Sequence, residues 1–147
     1  MKWVTRQGVH LDRVACAWLI RRFIDGEAQF AFTQPGTNPA QVDGTPFDMR
    51  GARLGHHDGK CTFEVILREY GLQDDRGLAA LARIVHGADI PMDADISPVS
   101  AGLDAMARGF MLLESDDMRR IELQLPVYDA LYAHCAAQCT DKDATHA

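Results

Sequence analysis

The chain has 147 residues, enough for one domain whose core needs no disulfide or metal staple. Hydrophobic residues make up 47% and charged residues 24%, which excludes a disordered tail, a collagen-like fibre and a low-complexity linker. The net charge of −6 argues against a generic nucleic-acid binder, and the longest apolar run, Val14 to Ile20, is far too short to cross a membrane.

Lys2 to Arg6 reads as a short strand with a β-branched centre, broken by Gly8. A helix is predicted from Leu11 to Ile24, apolar over more than one face and stopped by Asp25-Gly26. Ala28 to Thr33 suits a second strand, Gln34 to Thr45 a loop, and Pro46 to Met49 a brief third strand. A strand–helix–strand opening of this length favours a right-handed crossover and a small sheet. From Thr62 the pattern turns helical. Thr62 is placed to cap a helix to Tyr70, and Asp74 or Asp75 to cap the next, with Gly87 weakening its end and Pro91 forbidding continuation. Ser97-Pro98 opens a third helix to Leu113. Asp116 opens a fourth, ending near Cys135 to Cys139, with Pro126 inside it predicting a kink or two pieces. The expected class is α+β: a small N-terminal sheet with one crossover helix, then a mainly helical C-terminal half. It forms a single domain with a strand–helix–strand part over 1–50, a helical part over 51–140 and a flexible tail over 141–147.

Charge is uneven along this order. Through Arg22 the balance is +4, and beyond it −10. A basic opening segment in an acidic chain either meets an oxyanion or pairs with acids of its own molecule. No secretory signal is visible, because Asp12 and Arg13 precede the apolar run and no small-residue cleavage site follows it; the default compartment is the cytoplasm. Four scattered cysteines are too few for a secreted disulfide scaffold. Cys135 and Cys139 share a helix face beside His134, either as soft-metal ligands or as small apolar residues.

The residues with most chemistry gather between His56 and Asp89. If the helices on either side of Gly71 form an antiparallel hairpin, the start of the first lies beside the end of the second. That brings Glu64 to His86 and Asp89, with His56 and His57 in the loop that enters the same place. A mixed nitrogen and oxygen set of this kind suits zinc, iron, manganese or nickel. Cys61 stands beside it as a ligand or a redox thiol. The same residues have plainer readings: His56-His57 as a surface turn, and Glu64 and His86 as charges matched to helix dipoles. His10-x-Asp12 before the first helix reads as an N-cap or as a pair that orients a ligand. There is no GxSxG elbow, no phosphate loop, and no flavin or NAD motif.

Together these stretches resemble the chromate-resistance family of the ChrB C-terminal domain type, over nearly the whole length. The resemblance is carried by Trp3-Val4-Thr5-Arg6, Asp12 to Ile20, Arg22 to Asp25 and Pro46-Phe47-Asp48. It continues with His56 leading to Cys61-Thr62-Phe63-Glu64, Ile84 to Asp89, and Tyr128 to Tyr132. It implies a role in chromate resistance or chromate-responsive regulation, alongside a chromate efflux transporter. Longer relatives carry an N-terminal region held to bind DNA; this chain opens at the Trp3 motif, so no direct nucleic-acid binding is expected.

Three readings follow. The first is a cytoplasmic sensor or accessory protein, with metal ligands His56, Glu64 and Asp89 joined by His57 and His86. Arg6 and Arg13 would there attract a chromate-like oxyanion. The second is a metal-dependent enzyme: a hydrolase, or with Cys61 as redox thiol a chromate reductase. The third is a helical docking surface for a partner or a second copy, presenting Leu103, Met106, Phe110 and Leu113.

Overall fold

The computed structural model describes residues 1–146, with side chains through Thr140. The class is α+β. Three parallel strands, β1 (Lys2–Arg6), β2 (Gln29–Thr33) and β3 (Thr45–Pro46), lie in the order β2-β1-β3. Trp3, Val4 and Thr5 of the central strand are all buried, as expected of a parallel strand covered on both faces. Pro46 sits on an edge strand, where its missing N–H costs little. Gly44 is required there: a Cβ would stand 2.7 Å from the Lys2 carbonyl oxygen.

The crossover helix departs from its predicted span. It is α-helical as α1 (Asp12–Leu19) and then widens into a π turn over Ile20–Ile24, closed by Asp25 N–H donating to the Ile20 carbonyl at 2.7 Å. In that turn Phe23 meets Trp18 and Tyr132, at ring separations of 5.6 and 5.3 Å.

The helical half contains α2 (Thr62–Glu69), α3 (Arg76–Asp89), α4 (Ser100–Leu113) and α5 (Asp117–His146). Asp75 caps α3 through the Leu78 N–H at 2.9 Å. Gly87 stands two residues before the end of α3. It lets α4 approach: a Cβ there would lie 2.5 Å from the Ser100 hydroxyl, which donates to the Ile84 carbonyl. α4 starts two residues after Pro98, because Pro91–Ile96 forms a separate 3₁₀ segment first. Pro126 lies inside α5, which is one helix rather than two and runs past Cys139. The tail expected over 141–147 falls outside the described side chains. The buried Arg120 ties the α4–α5 corner by donating to the Glu114 and Met111 carbonyls.

The two halves share one core. Trp18 of α1 stacks on Phe63 of α2 and donates to Asp129 of α5 at 2.8 Å. Asp117 of α5 accepts the Gly8 and Val9 N–H groups at 2.9 and 2.7 Å. No helix of the described residues is long and apolar enough to cross a membrane.

Candidate functional site

The site is organised by a buried carboxylate. Asp12 opens α1 but does not cap it; its oxygens cross to α2 and accept the Thr62 and Phe63 N–H groups, at 2.8 and 3.1 Å. These are orphan donors of a helix N-terminus, so a carboxylate there is favoured twice, by the hydrogen bonds and by the dipole. Thr62, predicted as the cap, instead donates its hydroxyl to Asp48 at 2.7 Å. Asp12 is 1% exposed and Asp48 is also buried.

His56 stands over this pair. Its Nε2 lies 2.7 Å from Asp89 and 3.7 Å from Asp12, and its Nδ1 lies 3.2 Å from the Thr62 hydroxyl and 3.4 Å from Asp48. Asp48 and Asp89 together hold the imidazole protonated, up to about 10. Burial, with Asp48 and Asp89 nearby, pushes the Asp12 carboxyl up to about 8. One ligand atom each from Asp12, His56 and Asp89 lies within 4.8 Å of the others, which fits a single cation by donor chemistry and by reach. The backbone is strained here. Leu11, next to Asp12, has φ 38° and ψ −93°, and Asp48 has φ 47°. Tyr128 holds the Leu11 carbonyl from α5 at 3.3 Å.

His56, Asp89 and Asp48 line a cavity of about 870 Å³ whose walls include Arg6, Arg13, Arg50, Arg108, His10 and Met49, with Asp12 buried behind them. Arg13 is anchored to Asp48 at 3.2 Å. Arg108 pairs with Asp104. Among the described residues Arg6 and Arg50 have no ion-pair partner, and both also face a neighbouring cavity of about 470 Å³. The remaining basic residues of the opening segment pair within the molecule: Arg22 with Asp129, Lys2 with Asp43, and Arg21 on the Ala28 carbonyl and the Phe30 ring.

The residues grouped on the sequence divide into two clusters. His56 and Asp89 come together with Asp12. Glu64 and His86 do meet across the α2–α3 hairpin, by a hydrogen bond from His86 Nδ1, but they form a separate group with Cys61. His57 joins neither, because its Nε2 bonds the Ala52 and Arg53 carbonyls and pins the loop. Cys61 is wholly buried, and burial raises its thiol well above the ordinary value. Cys135 is buried and Cys139 partly so; all four thiols are free, and these two make no three-ligand group among the described residues. Leu103 belongs to the core, whereas Met106 and Leu113 are exposed. With Val99, Pro126 and Leu131, Leu103 and Met106 line an apolar cavity of about 640 Å³ between α4 and α5.

Sequence reasoning missed Asp48, Arg50 and Arg108 as site residues, and read Asp12 as an N-cap or, with His10, as a pair that orients a ligand, not as a metal ligand. Asp12 was visible as a capping type, but the helix it caps lies fifty positions away. Asp48 stood in a quoted motif with no partner that spacing could name.

Comparison with known proteins agrees with the resemblance. A family model described as ChrB, C-terminal domain, matches residues 3–135. The curated Protein ChrB of Cupriavidus metallidurans is 39% identical over 136 residues, which cover 90% of this chain and 40% of that protein. The chain therefore spans well under half the length of that relative. No solved structure matches.

Proposed function

The chain belongs to the ChrB C-terminal domain family, and from that membership together with the site we propose a cytoplasmic binding module of chromate resistance. It holds a divalent transition metal through Asp12, His56 and Asp89, and takes a small oxyanion into the adjoining cavity through Arg6, Arg13 and Arg50. The observation that supports this reading is the convergence of two carboxylates and an imidazole beside a cavity walled by arginines, with His56 and Asp89 lining it and Asp12 buried behind them.

The donor set is hard to borderline, which suits zinc, iron, manganese or nickel. Chromate is a tetrahedral dianion, and a guanidinium fork matches its oxygens. Arg13 is stiffened by Asp48, so its guanidinium is positioned in advance. A bound cation cancels the charge of Asp12 and Asp89 and removes the repulsion an entering anion would feel. Metal and oxyanion then bind with positive coupling, each raising the affinity of the other. On this reading the module acts alongside a chromate efflux transporter.

The test is elemental analysis of the purified protein beside His56→Ala and Asp12→Asn, followed by calorimetric titration with chromate before and after metal removal. One equivalent of metal in the wild type that is missing from both variants, with chromate binding weakened by metal removal, is the expected result. A well-folded wild type that neither carries nor takes up a divalent metal overturns the metal assignment. Chromate affinity indifferent to metal overturns the coupling.

A further inference from the structure

The geometry points to a second metal site, distinct from the His56 cluster, formed by Cys61, Glu64 and His86 and suited to a borderline divalent ion such as zinc. Cys61 Sγ, a Glu64 oxygen and a His86 ring nitrogen all lie within 4.8 Å of one another. Thiolate, imidazole and carboxylate are each established zinc ligands.

The surroundings favour a ligand role over a simple ion pair. His86 Nε2 lies 2.6 Å from Asp93. Histidines that bind metals almost always donate their other ring N–H to a carboxylate or carbonyl, which fixes the tautomer and the ring orientation. Asp93 supplies that partner, so the nitrogen left for a metal is Nδ1, the one directed at Glu64. Glu64 is positioned as well: it accepts the Cys61 backbone N–H at 3.0 Å, holding thiol and carboxylate on one turn at the start of α2. Glu64, whose side chain is 21% exposed, also lines a cavity of about 350 Å³, so its carboxylate is reachable from solvent.

The site stands or falls independently of the His56 cluster, because the two share no ligand. Titration of the metal-stripped full chain with cobalt(II) separates them, since only a thiolate gives an intense near-ultraviolet charge-transfer band on cobalt. The band is expected to saturate by two equivalents in the wild type and by one in His56→Ala, and to be lost in Cys61→Ser. Asp93→Asn should weaken the binding that the band reports by about 10- to 100-fold. Because Cys61 is a core residue, Glu64→Gln serves as the second variant: it keeps an acceptor for the Cys61 N–H and should still lose the band. No band in the wild type at saturating cobalt overturns the site. So does a band that survives in Cys61→Ser, or one that disappears in Cys135→Ser or Cys139→Ser.

Discussion

Two clusters meet at the first turn of α2 and differ in how they face water. On one side Asp12, Asp48 and Asp89 surround His56, whose imidazole is 49% exposed and opens onto the arginine-lined cavity. On the other, His86 is 10% exposed between Glu64 and Asp93, and Cys61 is wholly buried. The first is open to ligands that enter the cavity, and the second is largely shut off from water. One helix end serves both because its orphan N–H groups are shared out: Thr62 and Phe63 donate to Asp12, Cys61 to Glu64. The carboxylate that floors the open cluster is therefore also part of the fold.

That overlap gives the largest expected effect. Asp12→Ala orphans two buried N–H groups and should cost about 2–4 kcal/mol of stability, read by urea denaturation. Asp12→Asn keeps an amide oxygen for one of them and should cost less than half as much. Equal losses in the two variants would mean that volume, not capping, is what Asp12 supplies. His86→Ala comes next. It removes the partner of both Glu64 and Asp93 and should cost about 2 kcal/mol. A loss in His56→Ala as large as that in His86→Ala would erase the distinction between an open and a closed cluster.

The same asymmetry explains what could be read from the chain. The Glu64–His86 contact was legible because hairpin geometry is local: a short turn at Gly71 sets the start of one helix against the end of the other. The strand–helix–strand opening and the helix starts at Asp75 and Asp116 were legible for the same reason. The division into two clusters was not. It depends on Asp12 reaching across from α1 and on Asp48 arriving through a left-handed turn, and neither leaves a spacing signal. Asp93 was missed because it sits on the 3₁₀ segment after Pro91, a stretch that carries no periodicity. Arg108 was missed because α4 brings it to the cavity from far along the chain.

The open cluster can be weakened without touching the fold. Arg6 lines the cavity and has no ion-pair partner among the described residues, so Arg6→Ala should leave urea stability within about 0.5 kcal/mol of wild type. Losing one charge-assisted contact should lower chromate affinity by about tenfold in calorimetry. Metal content should be unaffected. If Arg6→Ala lost metal as well, the arginine wall and the carboxylate floor would be one unit, not two.

The smallest effect is expected at Asp129, which lies outside both clusters and ties α5 to α1. Hydrogen bonds from Arg22, with one from Trp18 and against a burial effect of opposite sign, hold its carboxyl below the ordinary value of 3.8. A carboxylate lowered in the folded state adds stability above its unfolded pKa, and that stability is lost as pH falls through the folded value. Asp129→Asn should therefore be slightly less stable than wild type near neutrality, and the gap should close below about pH 3.8. The pair is surface-exposed, so the gap is small at any pH. Trp18 belongs to α1, whose first residue is Asp12, and packs against Tyr128 of α5, so the variant also asks whether the open cluster depends on the helical half at its back. Metal content equal to wild type would show that both clusters are held locally, by the start of α2. Selective loss from the His56 cluster would show that the open site, unlike the closed one, is braced from α5.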